Sequence, residues 1–143
     1  MKVASILTVK GRDVFTISPE SSILDAANTL KEKRIGALIV LGADGAVAGI
    51  LSERDIVRGL AAHGPAVLAM TVADLMTRTV VTCAPDNAIE DVMNEMTSRR
   101  IRHLPVIENG ALAGMVSIGD VVNNRLGELR QETDMLRSYI SSG

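Results

Sequence analysis

The sequence Gly-x-x-Ser-x-x-Asp occurs twice in this chain, and each copy places a hydroxyl and a carboxylate where they could bind a polar ligand. Residues 49–55 read Gly-Ile-Leu-Ser-Glu-Arg-Asp, and residues 114–120 read Gly-Met-Val-Ser-Ile-Gly-Asp. The ionised carboxylates of Asp55 and Asp120 only accept hydrogen bonds, so each can hold both hydroxyls of a cis-diol. If a helix starts at each Ser, its unpaired N–H groups can also bind a phosphate. The doubled sequence therefore predicts sites for a ligand that carries a diol and a phosphate.

The same spacing is also that of a helix capping box. In that arrangement the Ser side chain and the Asp carboxylate satisfy the first N–H groups of the helix. For one isolated occurrence, capping is the more common explanation. Two copies in register, each after an apolar run, favour ligand binding, and both roles are compatible if the Ser caps the helix while the Asp turns into a cleft. A purely structural role stays the alternative.

The two copies belong to a longer internal repeat. A shift of 66 residues aligns 14–41 with 80–107, and a shift of 65 residues aligns 45–57 with 110–122. Identical residues occupy 17 of the 41 aligned positions, whereas unrelated segments of ordinary composition would match at roughly two or three. A single duplication predicts a pseudo-symmetric pair, because solenoids usually need three or more units.

Each repeat reads as strand, helix, strand, strand, helix. After Ser22, apolar residues at i, i+3, i+4 and i+7 predict an amphipathic helix, and the second copy repeats the pattern. Two apolar strands follow in each copy, with turns at residues 44–45 and 109–110. Such strands are buried on both faces. The predicted fold is therefore α+β, with two β-α-β-β-α units, in residues 1–65 and 66–143, packed sheet to sheet about a pseudo-two-fold axis.

The composition argues against a nucleic-acid-binding protein. Aromatic residues make up only 1% of the chain, too few for the stacking platforms that bind single strands. The formal net charge of −2 shows no excess of basic residues for binding a phosphate backbone. A local basic cluster, Arg99, Arg100 and Arg102, either ends a helix in solvent or supplies donors for phosphate.

Other chemistries find little support. Cys83 is the only cysteine, which excludes a disulfide framework or a multi-cysteine metal site, and its apolar setting predicts a buried thiol. We find no Ser-His-Asp or Cys-His arrangement in context, no P-loop and no metal-ligand cluster, so we expect no catalytic activity. No apolar run approaches the ~18 residues of a membrane span. We expect a soluble, cytoplasmic protein without a membrane partner.

These motifs together resemble a tandem pair of CBS domains, also called a Bateman module. The resemblance rests on the doubled Gly-x-x-Ser-x-x-Asp, on Thr-x-x-Pro at residues 16–19 and 82–85, and on Arg-His-Leu-Pro-Val at residues 102–106. It covers nearly the whole chain, which is similar to the stand-alone CBS-domain proteins of bacteria. Membership would imply clefts between the repeats that bind AMP, ADP, ATP, S-adenosylmethionine or NAD(H), with no catalytic cofactor.

The resemblance also implies a set of site residues. Asp55 and Asp120 would hold ribose hydroxyls, and the preceding Ser of each motif would lie beside them. The first copy has Gly36-Ala37 where the second has Arg102-His103, so we expect two unequal clefts. His103 could contact phosphate or play a structural role. The implied nucleotide-binding residues are Thr16, Ala37, Ser52, Arg54, Asp55, Thr82, Arg102, His103, Pro105, Ser117 and Asp120.

The C-terminal segment, from Asp120 to about Ile140, has one apolar and one charged face and predicts an amphipathic helix. With the disc-like pairing common in the family, it implies a homodimer. The function expected from the resemblance is energy sensing and signal transduction: an adenine nucleotide binds, the packing of the repeats changes, and an unidentified regulated protein reads the change. The alternative is a structural homodimerisation module without a ligand.

Overall fold

A computed structural model describes residues 1–142 and confirms the predicted α+β fold of two repeats. A 3-10 helix at Gly64–Ala69 joins the first repeat to the second. The α-helices and strands of this part of the chain are α1 (Val3–Lys10), β1 (Thr16–Ile17), α2 (Ile23–Lys33), β2 (Ala37–Leu41), β3 (Val47–Ser52), α3 (Glu53–His63), α4 (Val72–Leu75), α5 (Ile89–Arg99), β4 (His103–Glu108), β5 (Ala111–Ser117) and α6 (Ile118–Ser142).

Helix α2 starts where the sequence predicts. Ser22 caps α2, and its side chain accepts a hydrogen bond from the backbone N–H of Asp25 at 3.1 Å. The apolar stripes of α2 and α5 face the two cores. Both helices end on an arginine in the left-handed conformation, Arg34 and Arg100, each with φ of 55°.

The two sheets differ at their first strand. In the first repeat β1 pairs in parallel with β2, and the backbone N–H of Ile39 donates to the carbonyl of Phe15 at 3.2 Å. Pro105 occupies the position equivalent to Ile39 and has no N–H to donate. The strand predicted near Thr82 is accordingly reduced to one parallel bridge between Cys83 and Val106. The carbonyl of Val81 thus lacks the N–H donor that Phe15 has in the first copy, and further upstream Thr77 pairs with Ile50 of β3.

Each core contains the short helix that precedes the other repeat in the sequence. Helix α1 precedes the first repeat, yet Val3, Ile6 and Leu7 pack in the core of the second. Helix α4 precedes the second repeat, yet Val72 and Met76 pack in the core of the first. The division between residues 65 and 66 stays a prediction, and each core draws on segments from both sides of it.

The glycines of the doubled motif allow these exchanged helices to approach the sheets. A Cβ atom on Gly49 would lie 2.7 Å from the carbonyl oxygen of Thr77, and a Cβ atom on Gly114 would lie 2.8 Å from Cδ2 of Leu7. Position 49 therefore requires glycine, because its neighbour is backbone, whereas a side chain at Gly114 would require Leu7 to move.

Candidate binding cleft between the repeats

A cleft of about 200 Å³ lies between the two repeats. Its walls come from the start of α3, from the segment before Thr82 and from the segment that joins α5 to β4. Residues of both repeats thus face the same space, as the pseudo-symmetric packing predicts. The lining residues are Gly36, Ile50, Ser52, Glu53, Arg54, Asp55, Arg58, Thr77, Thr79, Val80, Val81, Arg100, Ile101, Arg102 and His103.

The first Ser-x-x-Asp sequence caps α3 and also faces the cleft. Asp55 N–H donates to Ser52 Oγ at 3.3 Å, and Ser52 N–H donates to Asp55 Oδ2 at 2.9 Å. The Ser52 hydroxyl also donates to Oδ2, at 3.1 Å. The other carboxylate oxygen, Oδ1, accepts one long hydrogen bond of 3.3 Å from the Thr77 hydroxyl. Capping therefore occupies Oδ2 and leaves Oδ1 with lone-pair capacity for a ligand.

Basic residues outnumber acidic ones in this cleft, which Glu53 and Asp55 also line. Arg54, Arg58, Arg100 and Arg102 line it and are exposed. Within residues 1–142, no carboxylate lies within 4.0 Å of any of these four guanidinium groups. Arg99 differs, because it pairs with Glu95 at 2.6 Å and lines a separate groove beside α5. The cleft therefore offers several unneutralised donors for an anion.

His103 lies half-buried between the first cleft and the second Ser-x-x-Asp sequence. Its ring lies close to Gly36, where a Cβ atom would be in van der Waals contact with it at 3.4 Å. Burial lowers the pKa of His103, Lys10 lowers it further, and Asp120 and Glu53 oppose the shift. The ring is neutral at physiological pH and can donate one hydrogen bond without adding positive charge.

The lowered pKa of His103 predicts a loss of stability in mild acid. The unfolded chain takes up a proton near pH 6.5, whereas the folded chain resists it until lower pH. The free energy of unfolding should be highest above about pH 6.5 and fall as the pH drops from there through the folded pKa.

Urea denaturation between pH 7.5 and 5.0 measures this effect. The variant His103→Gln should show a shallower decline than the parent over the same range, because its side chain does not titrate. Equal slopes for the two proteins would show that His103 contributes nothing to the pH dependence.

The second Ser-x-x-Asp sequence repeats the capping geometry but lies in a different electrostatic setting. Ser117 N–H donates to Asp120 Oδ2 at 2.9 Å, and Asp120 N–H donates to Ser117 Oγ at 3.1 Å. The ammonium of Lys10 lies 2.7 Å from the same Oδ2 and donates to the carbonyl of Met115 at 2.9 Å. Burial alone would raise the pKa of Asp120, but the hydrogen bonds from Lys10 and Ser117 outweigh it and lower the pKa.

The two carboxylates are therefore unequal. We predicted unequal clefts from Gly36-Ala37 and Arg102-His103, and the clearest difference at the carboxylates themselves comes from Lys10, at the end of α1. A neutral threonine hydroxyl faces Asp55, whereas an ammonium group from the chain itself neutralises Asp120.

Five of the eleven predicted site residues line the first cleft, and six lie elsewhere. Thr16 is exposed on β1, while Ala37 and Pro105 are buried within strands. Thr82 lines the groove beside α5. The residues that meet in the cleft are Ser52, Arg54, Asp55, Arg102 and His103, and those at the second carboxylate are Ser117 and Asp120.

The segment before Thr82 contributes lining residues that the motifs did not indicate, among them Thr77, Thr79 and Val81. Two signals in the sequence pointed to it. Residues 72–77 echo residues 3–8, and Pro105 removes the N–H that would hold this segment in the sheet.

Residues 1–142 contain one thiol and no candidate metal centre. Cys83 is 8% exposed, and burial raises the pKa of its thiol to about 11, so it stays protonated, as expected for a buried apolar residue. No group of three or more His, Cys, Asp or Glu side chains in this range could hold a metal ion. None of the helices described has both the length and the apolar character that crossing a membrane requires.

The model of the CBS domain matches this chain twice, at residues 4–62 and 72–127. The chain belongs to the CBS-domain family. The two matches form a tandem pair, and such a pair is a regulatory module.

Similar proteins share both sequence and fold with this CBS pair. The mitochondrial CBS domain-containing protein CBSX3 of Arabidopsis thaliana is 34% identical over 149 residues, which cover 99% of this chain and 72% of the relative. A CBS-domain containing protein from Agrobacterium tumefaciens is 48% identical, with a TM-score of 0.85 over 87% of this chain and 92% of its own. A CBS domain pair solved with 5-methylthioadenosine and S-adenosyl-L-methionine is 26% identical, with a TM-score of 0.79 over 90% of this chain and 98% of its own.

Proposed function

We propose that this CBS pair is a non-catalytic sensor of phosphorylated adenosine ligands, namely AMP, ADP, ATP or NAD(H), and that the first cleft is its principal site. The observation that carries the proposal is the presence of Asp55 and four unneutralised arginines in one cleft. Asp55 Oδ1 accepts the hydrogen bonds of the ribose diol, and the guanidinium groups bind the phosphates. Apolar side chains, including Ile50 and Ile101, line the space left for the base.

The positive charge of the cleft also predicts which adenosyl ligands bind more tightly. S-adenosylmethionine carries a positive sulfonium centre, and the four arginines repel it at close range. A similar CBS pair was solved with S-adenosyl-L-methionine and 5-methylthioadenosine, so the fold itself accepts such ligands. In this chain we expect phosphorylated nucleotides to bind more tightly than either of those two.

The proposed signal is a change in how the repeats pack. Asp55 belongs to the first repeat and Arg102 to the second, so one ligand that contacts both links the two units. Such a ligand shifts the packing only if it binds one arrangement more tightly than another. An unidentified partner protein in the cytoplasm reads the change, and the module acts as a homodimer.

A thermal-shift panel tests the proposal on nucleotide-free protein, with AMP, ADP, ATP, NAD⁺, NADH, S-adenosylmethionine and adenosine. A ligand at 100 times its Kd should stabilise the protein by ~2.7 kcal/mol, a rise in Tm on the order of 5–12 °C for this chain length. Phosphorylated ligands should give the larger shifts. A flat panel with folded protein would contradict the proposal and favour the structural homodimerisation module.

A further inference from the structure

The outer half of α6 extends beyond the rest of the molecule. The inner half is held by Val121, which is buried, and by Arg125, which lies 2.8 Å from Glu128 and 3.4 Å from Glu90. After Glu128, every residue from 129 to 141 is exposed. A helical segment of this length is marginally stable in water without packing. The outer half therefore needs a surface to cover it.

The exposed face of α6 carries a heptad stripe. Apolar residues and one threonine recur in alternating steps of four and three, a period of 3.5 residues that is typical of a two-stranded coiled coil. The five apolar members are 43–74% exposed. The stripe consists of Val122, Leu126, Leu129, Thr133, Leu136 and Ile140.

Charges beside the stripe distinguish the two orientations of a second helix. In a parallel pair, Glu132 faces Arg137 of the second copy, five residues further along, and this opposite-charge contact forms twice. In an antiparallel pair whose register places Glu132 opposite Glu132, Arg130 also faces Arg130 of the other copy. A shift of one heptad places Arg130 opposite Arg137 instead, so both registers bring like charges together. A parallel pair also places Arg125 opposite Arg130 of the second copy. Their repulsion is reduced because Glu90 and Glu128 already pair with Arg125.

We propose that the outer half of α6 pairs in parallel with the same segment of a second copy of this chain, as a short two-stranded coiled coil. The two-fold axis then runs along α6. The inference specifies the surface and orientation of the homodimer and rests on that part of the proposed function, but it is independent of nucleotide binding.

Light scattering of the full chain at micromolar concentration, across a dilution series, tests the surface. The variant Leu136→Glu buries two charges in the seam and should raise the dimer Kd by ~30-fold or more. The matched control, Met135→Glu, adds the same charge to a neighbouring residue that is 72% exposed and outside the stripe, and it should leave the Kd unchanged. A monomeric parent, or a Leu136→Glu variant as dimeric as the parent, would overturn the proposal.

Two further measurements test the orientation. The charge reversal Glu132→Arg should weaken the dimer, and adding Arg137→Glu in the same chain should restore it. Under oxidation, Thr133→Cys should form an intermolecular disulfide, because a parallel pair places residue 133 opposite its own copy, whereas Gln131→Cys on the outer face should not. A dimer without the Thr133→Cys link would overturn the parallel arrangement. Nucleotide shifts measured on Leu136→Glu separate a failure of this surface from a failure of the nucleotide site.

Discussion

The variant Asp55→Asn is expected to weaken ATP binding by about 10- to 100-fold, because a hydrogen bond to a charged group contributes about 1.5–3 kcal/mol. Oδ1 of Asp55 is the acceptor left available after capping, and the amide replaces a charged acceptor with a neutral one. Asparagine keeps the size of the side chain and an oxygen for Ser52, so the variant should stay folded. Isothermal titration calorimetry with ATP measures the change in Kd directly.

The matched control is Asp120→Asn. The same atom substitution in the second copy removes the negative charge that pairs with Lys10, so it should lower the free energy of unfolding while changing the affinity for ATP only slightly. The opposite pattern, with affinity lost in Asp120→Asn and kept in Asp55→Asn, would move the principal site to the second carboxylate. Unchanged affinity in both would leave the two carboxylates with a capping role alone.

Local features of the fold were predictable because their causes are close in sequence. The apolar stripe after Ser22 sets the buried face of α2, and the turn at Asn109 and Gly110 adopts positive φ at both residues. The loss of a full strand at Thr82 also has a local cause, since Pro105 lacks the N–H that Ile39 supplies in the first copy. A difference between the two copies, such as Ile39 against Pro105, thus indicates where their structures differ.

The arrangement of the cleft was less predictable because it depends on long-range packing. Nothing in the sequence near residues 3–10 shows that α1 joins the core of the second repeat. The contact between Lys10 and Asp120 spans 110 residues and follows from that exchange of helices. Thr16 and Thr82 fit the family motif equally well, yet neither lines the first cleft. Motifs predicted a set of candidate residues, and packing decides which of them meet in one cleft.

The exchange of helices also makes the two carboxylates chemically different. In each repeat the segment that precedes the other repeat packs against the glycine of the doubled motif. Leu7 of α1 lies against Gly114, and Met76 and Thr77, directly after α4, lie against Gly49. After α4 the chain continues as Thr77, whose hydroxyl makes a weak contact with Asp55, whereas α1 ends on Lys10, whose ammonium pairs with Asp120. One duplicated framework thus has one carboxylate beside a neutral hydroxyl and one paired with an ammonium group.

The variant Lys10→Met is expected to reveal a second nucleotide site. Methionine keeps the length of the side chain but removes the ammonium group from Asp120 Oδ2 and from the carbonyl of Met115, while Ser117 N–H still donates to Oδ2. Calorimetric titration with ATP should change from one nucleotide per chain to two, with the affinity of the first site unchanged. Without ligand the variant should be less stable at neutral pH, because Lys10 lowers the pKa of Asp120 and so stabilises the fold above the unfolded pKa near 3.8. This difference in stability should shrink as the pH falls through the folded pKa.

Lys2→Met is the control, since it removes the same charge from the same end of the chain, at a side chain 64% exposed and 3.5 Å from Asp86. It should keep one site per chain. If Lys10→Met also binds one nucleotide, at the parent affinity, then Lys10 does not block the second carboxylate. If Lys10→Met instead binds more weakly than the parent, Lys10 contacts the ligand, and the ion pair with Asp120 positions a phosphate donor. If Lys10 blocks the second site, the variant binds more nucleotides per chain; if Lys10 contacts the ligand, the variant binds ATP more weakly. One titration measures both quantities and distinguishes the two roles.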